Sequence, residues 1–502
     1  MANINAYIIL FAYPIVAIIL FRRLGLVSGL IWTILAGYLF LPTLPIIKLP
    51  VPGLPNIDKD FVPAFCALVL VWAQARRQKK LTRIMNRRGK GEKPRLDEGV
   101  QAGQSAAPSI VNEERRSRGG WLINLLVVMA IFGPVLTTMT NGEALFRFEG
   151  FVQPGFGLYD AGRAIITATV MLLPFFLARR YLATPDAHLR LIQALVIAGI
   201  CYGFLTLYEV RMAPTLNSKL YGFFAHEWRQ HIRSDGYRAI LFLHHGLRVA
   251  LFLAMAAVAM AVAFRLPEYV ERRALLFVCL IFMMGVLVLD KSLGALATAI
   301  ILVPVALLLT VRTQIWVSAV LAATILLYPM LRGAGVVPVE RVVSVAESIN
   351  PERAASLAVR LRSEEILLNR ASLKPVVGWG GMARWYVFDE RGRSTIPDGI
   401  WVITIGQFGW LGYLAQFGLL TVPILLTAFR RRALSPSMST MGLVLVLTAN
   451  LIDLIPNSGL TPLTWLFAGA LAGWYERQRR GIATQNKVAT PVRMSPLRSR
   501  SV

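Results

Sequence analysis

Long apolar runs without a charged residue recur along this chain, and they restrict its fold more than any motif does. A helix needs about 20 mostly apolar residues to cross a bilayer. Runs near that length lie at 4–21, 24–41, 61–75, 121–138, 161–178, 191–208, 243–264, 274–289, 293–311, 314–331, 403–428, 441–455 and 460–476. Only 16% of the 502 residues are charged. Soluble domains carry about 25% and break up such runs, so a soluble globular protein is excluded. The expectation is an all-α integral membrane protein of about 13 transmembrane helices. Cys66, Cys201 and Cys279 each sit inside an apolar run, which leaves no spaced framework for disulfides or zinc.

Basic residues set the orientation. Met1 to Asn5 carries none, whereas Arg22 and Arg23 follow the first run, so the N-terminus is expected outside and no cleavable signal peptide is read. On that orientation the inner segments hold 32 of the 53 Lys and Arg residues and the C-terminus is cytoplasmic. The resulting plan has N-terminal helices over 1–75, a basic cytoplasmic loop over 76–120 and central helices over 121–331 with an outer loop at 209–242. A long outer loop over 332–402, C-terminal helices over 403–476 and a basic tail over 477–502 complete it. The composition of 76–120 and 477–502 predicts disorder and contact with anionic membrane lipids. No aromatic residues interleave with those charges, so nucleic acid is not an expected partner.

The polar chemistry gathers outside the spans. Glu209 to Arg248 contains His226, His231, His244 and His245 with Arg211, Arg229, Arg233, Arg238 and Arg248. The run that follows is too short alone to cross, so its helix is expected to begin upstream. Arg238 and His245 would then lie about 20° apart on one helix face, with Arg248 beside them. Snorkelling of each Arg to the interface is the plain alternative. The four histidines lack a zinc-type spacing with acidic ligands, so no metal site is expected. In the long loop, Arg362, Glu365, Leu367, Leu368 and Arg370 share helical periodicity ended by Pro375, and Gly378, Gly380 and Gly381 permit a tight turn. Gly378, Gly380 and Ala383 match a dinucleotide fingerprint without room for its βαβ unit. Asp58-Lys59-Asp60 has the form of a nucleotide-sugar metal motif without a soluble fold around it.

Arginines at a membrane surface suit a lipid-linked diphosphate, because guanidinium forks pair bidentately with phosphate oxygens. The block from Arg362 to Gly381, the Asp-Gly-Ile-Trp from Asp398 and the Gly-Gln-Phe-Gly-Trp-Leu-Gly from Gly406 resemble the O-antigen ligase and O-antigen polymerase family. So do Gly236 to Leu247 and Ser-Leu-Gly-Ala from Ser292. The resemblance covers roughly the second half of the chain. It implies a GT-C-like glycosyltransferase of the bacterial inner membrane with its active site in the periplasm. The implied donor is an undecaprenyl-diphosphate-linked glycan and the acceptor a glycan or lipid-linked glycan, with no cofactor and no metal. Carried over residue by residue, Arg238 and Arg362 bind the diphosphate, with Lys291 standing in for a ligase Arg whose position is Leu293 here. Asp398 stands where ligases have a His and becomes the base; Glu209, Arg211, His245, Arg248, Glu365 and Arg370 support the site. Both departures favour a polymerase or another exopolysaccharide branch over a ligase. The alternative reading of Asp398 is a helix cap before Gly399. The rival class is a transporter or flippase of an anionic lipid-linked substrate, which predicts broken helices at mid-membrane. Sugar identity, linkage and protein partners are not legible.

Overall fold

The computed structural model describes residues 2–48, 55–88, 120–146, 152–233, 236–349, 351–381, 383–395 and 397–488. The chain forms α1 (Ile4–Phe40), α2 (Phe61–Arg88), α3 (Trp121–Met139), α4 (Leu158–Met171), α5 (Leu173–Tyr181) and α6 (Pro185–Met212). These are followed by α7 (Leu216–Tyr221), α8 (Gly246–Arg265), α9 (Arg273–Leu289), α10 (Leu293–Leu308) and α11 (Val311–Gly333). The remainder is α12 (Val339–Ile349), α13 (Pro351–Ser372), α14 (Ile400–Phe429), α15 (Arg431–Leu434), α16 (Met438–Asp453) and α17 (Pro462–Val488). Every apolar run is helical over most of its length, two of them on α1 and one shared by α4 and α5. Among the described residues, seven helices are long and apolar enough to cross a membrane, or eight if α4 and α5, bent by 41°, form one span. Two β-hairpins, Leu145–Phe146 with Val152–Gln153 and Ile232–Arg233 with Gly236–Tyr237, are the paired strands among the described residues.

The outer surface of the bundle is apolar. Ile4, Ile8, Phe11 and Ile15 line an exposed helical stripe of α1, as do Phe132 and Leu136 on α3 and Val278 and Ile281 on α9. Stripes of this extent are unfavourable in water and are matched by lipid, so the chain is a multi-pass membrane protein. Small residues let the helices close in the middle. A side chain on Gly199 of α6 would meet Ala256 of α8 at 2.4 Å, and one on Gly442 of α16 would meet Val262 of α8 at 2.5 Å.

Two helices are interrupted by glycine. In α1, Gly25 has φ 75° and ψ −174°, and Tyr13 donates its hydroxyl to the Thr33 carbonyl. Twenty residues of straight helix would hold those groups about 30 Å apart, so the chain reverses at Gly25. Its two ends meet on Tyr221: Asn3 N–H donates to the Tyr221 carbonyl, and the Tyr221 hydroxyl donates to the Phe40 carbonyl. In α14, Gly409 has φ 64° and ψ −166°. Gln416 Nε2 donates to Thr404 Oγ1 at 3.1 Å, across twelve residues that straight helix would separate by about 18 Å, so residues 400–408 fold back on 410–429.

The basic segments correct one expectation. Both α2 and α17 extend past their apolar runs to Arg88 and Val488, because Ala, Gln, Arg, Lys and Leu are good helix formers. The rest of the expected disorder, 89–119 and 489–502, lies outside the described residues. Arg179 pairs with Glu476 and bonds Asn124, and Arg190 bonds Ser28, gathering these residues at one end of the bundle. The site lies at the other end, with the start of α1 and the segment 332–399.

Candidate functional site

The first part of the site grows from the end of α6. Glu209, fully buried, accepts N–H bonds from Leu216 at 2.9 Å, Ile240 at 2.9 Å and Leu241 at 2.8 Å. Its carboxylate is therefore a backbone organiser that fixes the 213–245 loop, with Leu241 held at φ 47°. Asp290, at the end of α9, accepts from Ala239 N–H at 3.2 Å. Between these anchors Arg238 is buried, its Nη2 donates to the Lys291 carbonyl at 3.4 Å, and its stem lies against Gly246. Lys291 has φ 58° and a buried Nζ without a hydrogen-bond partner among the described residues, facing Gly236. Arg238 and Lys291, from separate elements, are thus joined through the Lys291 backbone carbonyl. The helix-face argument fails, however. α8 starts at Gly246 with His245 as its N-cap, His245 Nδ1 accepting the Leu247 N–H at 3.0 Å, and residues 238–245 are non-helical, the N–H groups of Ala239, Ile240 and Leu241 being held by Asp290 and Glu209. Arg248 is close to Lys59 and His244, so three cationic or imidazole groups share that corner. Lys59 itself is buried and donates to the Phe242 carbonyl at 2.6 Å. Arg211 is exposed at the end of α6.

The second part is built on α13. Its buried positions Glu364, Leu367 and Ala371 follow helical spacing, and Arg360 lies one turn before Glu364. Arg360 Nε pairs with Asp398 Oδ2 at 3.5 Å. Glu364, 5% exposed, lies near Asp398, Arg332 and Trp401. Burial pushes its carboxyl up to about 7, against the opposing pull of Arg332. Burial also raises Asp398, with Arg360 working the other way. Asp398 is not a cap: the N-cap of α14 is Gly399 and carries no side-chain cap bond.

Several expected residues move out of the centre. Arg362 is exposed, and two residues from Glu364 it points about 200° away around α13. Arg360, not Arg362, is the arginine of α13 that lies beside Asp398. Glu365 is exposed and reaches Arg332 only at 4.0 Å. Arg370 stacks its guanidinium on Trp379 at 3.6 Å, a structural contact.

That stack belongs to the device that seats the long loop. Gly378 and Gly380 have φ 68° and 82°. Trp379 N–H donates to the Gly406 carbonyl at 3.0 Å and Gly380 N–H to Gln407 at 2.8 Å, while Trp410 and Leu411 N–H donate to Pro375 and Val376 at 2.8 and 3.1 Å. The loop thus bonds both ends of the break at Gly409, capping two half-helices with one strand of backbone. α3 holds the loop from behind: Thr137 Oγ1 donates to Val377 and Asn141 Nδ2 to Gly378 at 2.6 and 2.9 Å. Arg384, fully buried, donates to Trp379, Pro154 and Glu143 carbonyls at 3.2, 2.8 and 2.9 Å.

The two parts join through the end of α16. Asp453 sits near Arg248 and accepts from Asn457 Nδ2 at 2.8 Å, and the Asn457 carbonyl accepts from Ile400 N–H at 3.1 Å, two residues after Asp398. These contacts tie the corner that holds Arg248 to the start of α14, next to Asp398. An open cleft of about 380 Å³ is lined by Asn56, Asp58, Asp60, Arg163, Thr461 and Trp465. Sequence reasoning missed Glu364, Arg360 and Arg384. The spacing of Arg360, Glu364, Leu367 and Ala371 was the available signal for the first two. It also declined a histidine cluster, yet His226, His231 and His245 bring ligand nitrogens within 4.8 Å of one another. No protein-family model matches the chain, and no curated protein matches it.

Proposed function

We propose that the chain is a glycosyltransferase of the bacterial inner membrane, active at the periplasmic face, that moves a glycan from an undecaprenyl-diphosphate carrier onto an acceptor sugar. An O-antigen or exopolysaccharide polymerase is favoured over a ligase, in a GT-C-like bundle of about 13 crossings whose N-terminus lies outside and C-terminus inside. The observation that carries the reading is the carboxylate pair of buried Glu364 and half-buried Asp398, linked through Asn457 and Asp453 to the corner that holds Arg248. A transferase of this kind needs a base at the attacking hydroxyl and fixed positive charge where the diphosphate departs. Glu364 or Asp398 takes the acceptor proton as the bond from sugar C1 to the phosphate oxygen breaks. Arg238, Arg248 and the Lys291 ammonium receive the charge that the leaving diphosphate gains.

A transporter or flippase is the second reading, and the break at Gly409 is the observation in its favour. It is weakened by the four backbone bonds that fill that break, because transporter helices leave such groups open to a substrate. Lipid-linked and polymeric glycans extracted from a deletion strain distinguish these readings. Loss of polymer with single repeats left on the carrier supports a polymerase, and intact polymer left on the carrier supports a ligase. Complementation by Asp398→Asn and Glu364→Gln should fail while protein levels stay normal. Normal polymer in the deletion strain, or from both variants, sinks the proposal.

A further inference from the structure

We infer that His226, His231 and His245 form a binding site for a divalent transition-metal ion of the zinc class. The inference does not rest on the glycan-transfer reading. The three come from separate places: a loop, the end of the 3-10 turn Trp228–His231 and the N-cap of α8. Their ring centroids lie 5.6, 4.5 and 5.3 Å apart, and one nitrogen from each falls within a 4.8 Å group. Zinc to imidazole bonds of about 2.0 to 2.1 Å in a tetrahedron set ligand nitrogens about 3.4 Å apart, so a modest closing of the rings completes the site. Three imidazoles that converge from separate segments and face one another share the character of a ligand set.

In the arrangement described, His245 Nδ1 accepts the Leu247 N–H, so its proton lies on Nε2, 3.5 Å from Gln230 Oε1. Ligation through Nε2 displaces that proton and exchanges the Leu247 cap for the metal bond. Three neutral imidazoles leave the charge of a dication uncompensated, and Arg238 and Arg248 stand near His245. The fourth position is therefore suited to an anionic oxygen, which the dication and both guanidinium groups attract together. Such an ion would fasten the 223–233 segment to the head of α8, beside Arg238.

Cobalt(II) alone is the probe, titrated into the chelator-treated full chain in detergent. The wild-type chain should take one equivalent with the intense visible bands of tetrahedral cobalt. His226→Gln alters an exposed side chain, so the fold should persist, and it should bind at least about tenfold more weakly, since even outer-shell changes cost that much. His244→Gln, whose ring lies outside the group, should bind like wild type. Weak octahedral spectra from the wild-type chain, equal affinity of His226→Gln, or equal losses in both variants would overturn the assignment.

Discussion

Replacing Gly409 by Ala tests the seating of the long loop, and Gly25 supplies its control. Both glycines hold nearly the same backbone, φ 64° with ψ −166° and φ 75° with ψ −174°. Only glycine adopts that region freely, and strain of this kind costs about 1 to 3 kcal/mol. A Cβ on Gly25 meets nothing within 4 Å, so strain is its whole cost. A Cβ on Gly409 would lie 2.4 Å from the Val376 carbonyl group and 2.6 Å from the Pro375 oxygen, closer than real contacts allow. The loop must then retreat by roughly 1 Å, putting four backbone bonds at risk, each worth about 0.5 to 1.5 kcal/mol. Gly409→Ala should therefore cost about 2 to 6 kcal/mol more than Gly25→Ala. Apparent unfolding midpoints in one detergent at one scan rate measure the order, and trypsin cleavage after Lys374 and Arg384 reports whether the loop has lifted. If the variants unfold alike and the loop stays protected in Gly409→Ala, the docking argument is wrong.

Arg360→Ala should cost about 1 kcal/mol or less in stability, because its pair with Asp398 is part-exposed, yet lower glycan transfer at least about tenfold. Arg362→Ala should stay near wild type, and the reverse order in a complementation assay would restore Arg362 to the site. For Glu364, a folded-state pKa near 7 above the ordinary 4.5 means that burial favours the neutral acid. Its contribution is complete below pH 4.5 and lost as pH rises through about 7, so thermal stability should fall across that window in wild type and flatten in Glu364→Gln. As a base it should make transfer rise through the same window, and a pH profile indifferent to Glu364→Gln removes it from the chemistry. Reporter fusions after Arg88 and within 340–390 should report opposite sides of the membrane; a common side would collapse the periplasmic assignment.

Much of this architecture was legible because bilayer chemistry is written in length and charge. The runs at 4–21 and 24–41 marked the two arms of α1, and Gly378 and Gly380 marked a turn. What those glycines touch was not legible, since Gly409 lies 31 positions on from Gly378 and only the folded chain brings them together. Adjacent Glu364 and Glu365 looked alike in sequence, and burial divides them into a buried acid and an exposed one. The expected face shared by Arg238 and His245 failed for a different reason. Helical spacing was extended upstream of Gly246, into a stretch whose N–H groups Glu209 and Asp290 had already claimed. Local periodicity has no sight of such distant acceptors, which is also why the three histidines looked unrelated.

The interruption at Gly409 bears on how the protein is made. Open N–H and C=O groups are costly in hydrocarbon, where no water replaces the lost partner. The bonds from Pro375, Val376, Trp379 and Gly380 remove that cost, but only once both pieces are in place. During synthesis the 375–380 backbone leaves the ribosome first, and residues 400–429 then present one apolar stretch of thirty residues to the insertion machinery. A continuous helix is the cheaper form for that stretch until the earlier loop reaches it. Bending at Gly409 is therefore a late step, and a chain cut within the loop should insert its C-terminal helices yet leave α14 straight.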